Sequence, residues 1–201
     1  MKPVTTITSR GVPLLRDNID TDTIIPSREM KTTGRTGLAE GLFAPWRYTN
    51  AVDRLADPAF ALNQPEAAGA RVLLAGANFG CGSSREHAVW ALVEFGIEAI
   101  IAPSFAPIFR NNCLRNGLLP VELPADVVRD LAWQTVRIDL PSQTVSAGDQ
   151  SWPFDIDPEA KQMLAEGLDA IDLTLKLKDT IRRWLDADRR TRPWVYLEKS
   201  T

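Results

Sequence analysis

The sequence predicts an α/β fold with a mixed, partly parallel sheet and a helical C-terminus, on three observations. Apolar runs alternate with helix-spaced segments between residues 72 and 123, which implies right-handed βαβ crossovers and parallel strands. Short strand-like segments flank this centre on both sides, so the sheet is expected to be mixed. Beyond Pro158 the apolar residues recur at helical spacing, which predicts that the chain ends in helices.

Glycines and prolines mark the ends of the central elements. Val72–Ala75 is a short apolar strand, and Ser84–Phe95 has its apolar residues on one helix face and ends before Gly96, a typical residue to follow a helix. The same reasoning predicts strands over Ile97–Ala102 and Leu118–Leu123 and helices over Phe105–Asn116 and Ala125–Trp133.

The flanks are predicted with less regular patterns. Residues 18–26 are expected to form a polar loop, and residues 27–51 a long glycine-punctuated loop that is either functional or simply mobile. The remaining elements are strands over Val4–Ile7, Gly11–Leu15, Val136–Leu140, Thr144–Ser146 and Trp152–Ile156, and helices over Pro158–Glu166 and Leu173–Ala187.

Composition restricts the function. The chain has 201 residues, 44% of them hydrophobic, and a net charge of −3, which fits one globular domain and argues against nucleic acid as the main partner. The sequence has no membrane-length apolar run and no apparent secretory signal, so a cytoplasmic protein is expected. Two cysteines and one histidine cannot build a closed zinc site or a four-thiolate cluster, so metal chemistry would need ligands from another chain.

The segment Gly76–Ala88, GANFGCGSSREHA, carries the strongest chemical signal. Its glycines allow positive φ angles or close approach of a ligand, and its small polar residues open a predicted helix, where backbone N–H groups attract anions. The pattern suits a small carboxylate or phosphate. The structural alternatives are a plain strand-to-helix turn, a serine that only caps the helix, and a histidine, His87, that belongs to the core.

A second polar segment, Pro103–Pro120, follows the next predicted strand. Ligands of open α/β sheets bind beyond the carboxyl ends of the strands. The turns after Ala75 and Ala102 both lie at that edge, so the two segments are predicted to face the same crevice.

Five ordered segments resemble the isopropylmalate dehydratase small subunits of the aconitase superfamily. The resemblance covers roughly the whole chain, is specific through position 120 and weakens in the last third. The segments are Asn18–Pro26 (NIDTDTIIP), Gly34–Tyr48 (GRTGLAEGLFAPWRY), Phe60–Pro65 (FALNQP), Gly76–Ala88 and Pro103–Pro120 (PSFAPIFRNNCLRNGLLP).

The resemblance implies an aconitase-type swivelling β/β/α domain that forms one half of an enzyme. The other half is a large subunit whose cysteines carry a [4Fe–4S] cluster. The implied reaction is the removal and re-addition of water that interconverts 2-isopropylmalate and 3-isopropylmalate in leucine biosynthesis. This chain alone would then bind no cluster and would be inactive without its partner.

The resemblance also assigns roles to residues. Ser83, as an alkoxide, is the implied base that removes a proton next to a carboxylate. Ser84 and Arg85 would hold a substrate carboxylate, Arg85 through its bidentate fork. Arg35, in the Arg-Thr-Gly segment, would make a second carboxylate contact. Met30 is expected to touch the apolar side of the substrate.

Five further residues are expected to support the site. Asp20, Thr21 and Asp22 match the family's Asp-Thr-Asp and would orient the site, meet the partner near its cluster, or build local turns. Glu86 and His87 would fix the helix start and its hydrogen bonds. Cys81 is expected to pack the loop, because its nearest candidate base, His87, belongs to the following helix.

Departures from the family pattern leave the substrate open. Glu29 stands where an aromatic residue is usual; a carboxylate facing the site would favour a more polar substrate, such as citramalate or a methylmalate. Val89 replaces a common proline. The tail diverges from Asp157 onward, so residues 157–201 are interpreted as a helical extension of a single domain spanning 1–201.

Two functions from other classes remain as alternatives. The chain could be a non-catalytic swivel domain that only binds a partner. It could also be a phosphate- or nucleotide-binding domain, although its glycine loop lacks the Gly-Lys-Ser/Thr ending of a P-loop and the spacing of a dinucleotide fingerprint.

Overall fold

The computed structural model describes residues 1–30, 34–50 and 52–196. The resemblance links the segment 27–31 (SREMK) to substrate choice, and Lys31, its last residue, lies outside the described residues. The strands are β1 (Thr6–Leu14), β2 (Tyr48–Asn50), β3 (Leu55–Ala56), β4 (Val72–Ala75), β5 (Ala99–Ala102), β6 (Leu119–Glu122), β7 (Thr135–Asp139), β8 (Thr144–Ala147) and β9 (Gln150–Pro153). The helices are α1 (Thr21–Ile24), α2 (Ala44–Arg47), α3 (Glu86–Phe95), α4 (Pro107–Arg115), α5 (Ala125–Asp130), α6 (Pro158–Glu166), α7 (Ala170–Leu175) and α8 (Lys178–Thr191).

Seven of these strands form one mixed sheet in the order β6-β5-β4-β1-β7-β8-β9. The pairs from β6 to β1 are parallel, whereas those from β1 to β9 are antiparallel. The predicted α/β class with a mixed, partly parallel sheet is therefore confirmed. β2 and β3 form a separate two-stranded hairpin.

The first strand differs from its prediction. Two strands were expected at Val4–Ile7 and Gly11–Leu15, but β1 runs unbroken because it changes partner midway. Its first half pairs antiparallel with β7, from Thr6 opposite Asp139 to Arg10 opposite Thr135, and its second half pairs parallel with β4. The polar stretch between the two expected strands is therefore held by β7 and does not form a turn.

The core lies on both faces of the sheet. Alternate residues of β4 point to opposite sides, so Leu73 and Ala75 join one apolar cluster while Val72 and Leu74 join the other. Helix α3 packs into the first cluster, and α5 and α6 pack into the second. Strands buried on both faces explain why the central strands appear in the sequence as continuous apolar runs.

The helical C-terminus differs in one respect from the prediction. The single helix expected over Leu173–Ala187 is two helices, α7 and α8, and neither has a buried residue. Asp169 caps α7 through a reciprocal capping box with Asp172. Within the described part of the chain, no helix is long and apolar enough to cross a membrane.

The two loop predictions also change. The polar loop 18–26 contains α1, because the Asp20 carboxylate accepts a hydrogen bond from the Thr23 N–H at 2.6 Å and starts a helical turn. In the segment predicted as a long loop, the described residues form two 3₁₀ turns, at Ser27–Glu29 and Ala39–Gly41, followed by α2 and β2.

Candidate functional site

A cleft of about 220 Å³ opens beyond the carboxyl ends of β4 and β5. One wall is the loop from Gly80 to Arg85, and the opposite wall is the start of α4, from Ala106 to Asn112. Thr21 of α1 closes a third side. The prediction that the two polar segments face one crevice is confirmed.

The glycine loop is shaped by close backbone approach. Gly80 has φ +77°, and a Cβ added there would lie 2.1 Å from the Phe109 ring. Only glycine allows both the left-handed conformation and this contact. The loop is then fastened to the segment before α1, because the Gly80 N–H donates to the Ile19 carbonyl at 2.8 Å and the Thr21 N–H donates to the Cys81 carbonyl at 2.9 Å.

Ser83 and Ser84 project from this loop at the mouth of the cleft, and both are exposed. The Ser83 backbone is fixed by buried Thr21, whose hydroxyl donates to the Ser83 carbonyl at 2.8 Å. The N-cap of α3 is Arg85, in an extended conformation, so the reading of either serine as the N-cap is wrong. Because Arg85 is extended, helix α3 begins at Glu86, two residues later than predicted.

Arg85 makes a bidentate ion pair with Asp22. Its Nη1 and Nη2 atoms lie 2.5 Å and 2.9 Å from the two Asp22 carboxylate oxygens, and the Ile25 carbonyl lies 3.4 Å from Nη1. The Arg85 side chain is only 17% exposed, whereas that of Asp22 is 57% exposed. The guanidinium is thus held in one plane at the cleft and is already engaged by one carboxylate.

Arg35 is not brought into this cleft. Its guanidinium lies over the Trp90 ring, 5.2 Å from the ring centroid, and it lines a second cleft with Trp90, Val93, Glu94 and Asn116. The structure therefore brings four predicted site residues to one cleft: Thr21, Ser83, Ser84 and Arg85. Asp22 is paired with Arg85, whereas Arg35 lies in the second cleft, against the later part of α3.

The carboxylate of Glu94 anchors the loop that carries Arg35. It accepts hydrogen bonds from the backbone N–H groups of Gly37 at 2.6 Å, Leu38 at 2.6 Å and Ala39 at 2.9 Å. Burial raises the pKa of Glu94, but these three N–H groups outweigh burial and hold the pKa below its ordinary value.

Glu86 and His87 lie at the start of α3, on its flank. The Glu86 carboxylate accepts a hydrogen bond from the Asn116 amide at 2.9 Å, and the other side of that amide accepts the Trp90 indole N–H at 2.9 Å. The half-buried His87 ring packs against Trp90, with 4.7 Å between ring centroids.

The expected substrate-selecting residues face different surroundings. Met30 is half-buried and packs against the apolar cluster that contains α3. Glu29 is buried, and its carboxylate accepts a hydrogen bond from Arg54 at 2.5 Å. That bond is the main cause of a raised Arg54 pKa. The Glu29 carboxylate is therefore directed toward the β2–β3 hairpin.

The cysteines of this chain do not fit an iron–sulfur cluster. Cys113 is fully buried in the core, and burial raises the pKa of its thiol well above its ordinary value. Cys81 is half-buried in the loop. Among the residues that the structure describes, no group of three or more His, Cys, Asp or Glu is placed to hold a metal ion.

Sequence reasoning missed Trp90, Glu94 and Arg54. A signal for two of them exists, since Glu86, Trp90 and Glu94 recur every four residues and so share one face of α3. No pattern in the sequence indicates that Arg54 pairs with Glu29.

Comparison with known proteins gives consistent matches. The family model described as the aconitase C-terminal domain matches residues 1–126, and a second, described as LeuD_N, matches residues 125–158. A 3-isopropylmalate dehydratase small subunit from Cupriavidus necator is 56% identical over 98% of this chain and 100% of the relative. One from Paramagnetospirillum magneticum is 45% identical over 97% of this chain and 100% of the relative.

A solved structure agrees with them. The crystal structure of a 3-isopropylmalate dehydratase from Methanocaldococcus jannaschii has a TM-score of 0.66 and 30% identity, covering 89% of this chain and 98% of that one. The chain therefore belongs to the family of 3-isopropylmalate dehydratase small subunits, built on the aconitase C-terminal domain.

Proposed function

We propose that this chain is the small subunit of a two-subunit hydro-lyase that interconverts 2-isopropylmalate and 3-isopropylmalate by dehydration and rehydration. The single observation that carries the proposal is the cleft that Ser83 and Arg85 both line just before α3. The relatives that match nearly the whole chain carry the corresponding name.

Ser83 acts as the base in this proposal. In the alkoxide form its Oγ takes a proton from the carbon next to a substrate carboxylate. The electron pair of that C–H bond forms a C=C bond, and the hydroxyl on the neighbouring carbon leaves as hydroxide. This hydroxide and the proton now held by Ser83 together make up the water that is removed. Water then adds back with its hydroxyl on the carbon that lost the proton and its hydrogen on the carbon that lost the hydroxyl, which gives the isomer. Arg85 and the N–H groups at the start of α3 stabilise the negative charge on Ser83.

Arg85 holds a substrate carboxylate, and Asp22 keeps its guanidinium oriented. The constraint is that both terminal nitrogens of the Arg85 guanidinium already donate to Asp22. Because Asp22 occupies both terminal nitrogens, a substrate carboxylate must take one of them, leaving Asp22 on the other. The high exposure of Asp22 allows that adjustment.

The large subunit carries the [4Fe–4S] cluster in this proposal, since the cysteines of this chain do not fit one. When bound, that cluster would supply a Lewis acid that stabilises the departing hydroxide. Arg35, which is exposed at the second cleft, is the proposed second carboxylate contact of the assembled enzyme.

The isopropyl side of the substrate is assigned to Met30. The flexible, apolar side chain of Met30 suits a branched alkyl group. In this proposal Glu29 does not contact the substrate, because its carboxylate is paired with Arg54. This pairing favours isopropylmalate over the more polar citramalate.

The test uses the enzyme formed by co-expressing both subunits, with the unsaturated intermediate followed by its absorbance. Ser83→Ala is expected to lower turnover roughly 100- to 10,000-fold, as for loss of a general base, while the subunits still co-purify. Ser151→Ala, an exposed serine of β9, is the matched control and should be unchanged. Normal turnover in Ser83→Ala would refute the assignment.

A further inference from the structure

The loop that carries Arg35 is attached to α3 at two points one helical turn apart. Arg35 itself stacks over Trp90, and the three residues that follow Thr36 donate their N–H groups to Glu94. Arg85 is the N-cap of α3, so this helix connects the guanidinium of the cleft to the loop that carries Arg35.

Both oxygens of the Glu94 carboxylate accept hydrogen bonds from the loop. One carboxylate oxygen accepts the Gly37 N–H, and the other accepts those of Leu38 and Ala39. Hydrogen bonds to an ionised acceptor are among the stronger ones in proteins. A neutral side chain of similar size cannot accept all three in the same way, so the charge on Glu94 fixes this segment.

A second side chain holds the far end of the segment. Arg47 donates from Nη1 to the Ala39 carbonyl at 2.8 Å, and its guanidinium lies over the Phe95 ring at 4.7 Å. The backbone of Gly37–Ala39 is thereby fixed to α3 from both sides, while the Arg35 side chain is exposed.

We propose that Glu94 is a positioning residue for substrate binding: by clamping Gly37–Ala39 to α3 it sets the place from which Arg35 reaches the substrate. The inference rests on the proposed function, in which Arg35 contacts a substrate carboxylate. A loop already ordered before binding loses less conformational freedom when substrate arrives, so the clamp acts on substrate affinity more than on the chemical step.

The experiment is a double-mutant cycle on the assembled two-subunit enzyme, with 3-isopropylmalate as substrate. Glu94→Ala is expected to raise KM about tenfold while kcat changes less than about twofold, and Glu94→Gln, which keeps one acceptor oxygen, should fall between it and the parent. Glu40→Ala, an exposed acid in the same loop, is the control and should leave KM unchanged.

The cycle separates positioning from general structure. If Glu94 acts through Arg35, then Glu94→Ala raises KM no further in an Arg35→Ala background. Equal increases with and without Arg35, or no increase at all, would overturn the inference. If Glu94→Ala fails to fold, Glu94→Gln carries the same cycle.

The proposed role of Arg35 fails in a distinguishable way. Arg35→Ala with an unchanged KM would remove Arg35 from the substrate, and the inference with it. If Arg35→Ala raises KM and Glu94→Ala leaves KM unchanged, the role of Arg35 stands and only the positioning by Glu94 is overturned.

Discussion

The substitution Gly80→Ala should destabilise the fold through one contact. Alanine at φ +77° costs about 1–2 kcal/mol in the left-handed region. Its Cβ would also lie 2.1 Å from Phe109 Cγ and 2.6 Å from Phe109 Cβ. Phe109 is only 2% exposed and packs edge-on against Phe79, so the ring cannot swing into solvent. Such overpacking costs about 1–3 kcal/mol, which makes the total about 2–5 kcal/mol.

Urea unfolding of the purified chain measures this loss directly. The matched control is Gly148→Ala, because Gly148 also has a positive φ, +55°, but a Cβ there would meet nothing within 4 Å. It should lose only the backbone cost of about 1–2 kcal/mol. If Gly80→Ala and Gly148→Ala are destabilised equally, the close packing of the glycine loop on Phe109 is refuted.

Two further predictions concern titratable side chains. The folded-state pKa of Glu94 lies below its ordinary value of 4.5, so its stabilising contribution is complete above that pH and is lost as pH falls through the folded pKa. Urea midpoints of the parent and Glu94→Gln should therefore differ at neutral pH and converge in acid; a constant difference would contradict the clamp. A thiol reagent should modify half-buried Cys81 in the native chain and reach Cys113, with its raised pKa, only in denaturant. Modification of both at one rate in the native chain would contradict the burial of Cys113.

The regular centre of the fold follows from local patterns. β4 and α6 match their predicted bounds, because apolar runs and the turn residues beside them decide both. The start of α3 does not follow, since serine, arginine and glutamate are all acceptable near a helix start. The extended conformation of Arg85, which places the cap there, accompanies its ion pair with Asp22, more than sixty positions earlier in the sequence.

The site was predictable as a set of residue types and only partly as a geometry. The alternation of strand and helix brings the loop of Ser83 to the start of α4, so one crevice could be foreseen. The surroundings of Arg35 could not be foreseen. The Glu94 carboxylate binds three backbone N–H groups of the loop, and such bonds do not depend on which side chains the loop carries. Likewise, the burial of Glu29 depends on Arg54, whose sequence neighbours are polar and irregular.

The partner exchange within β1 has a consequence for how the chain folds. Gly11 pairs with Val72, and Thr6 pairs with Asp139, so the first strand of the chain joins two regions that are synthesised much later. Contacts of such sequence separation slow folding, because a long segment must close before any of them forms. During translation the second half of β1 can therefore pair only after β4 has left the ribosome, and the first half must wait longer, until β7 has emerged.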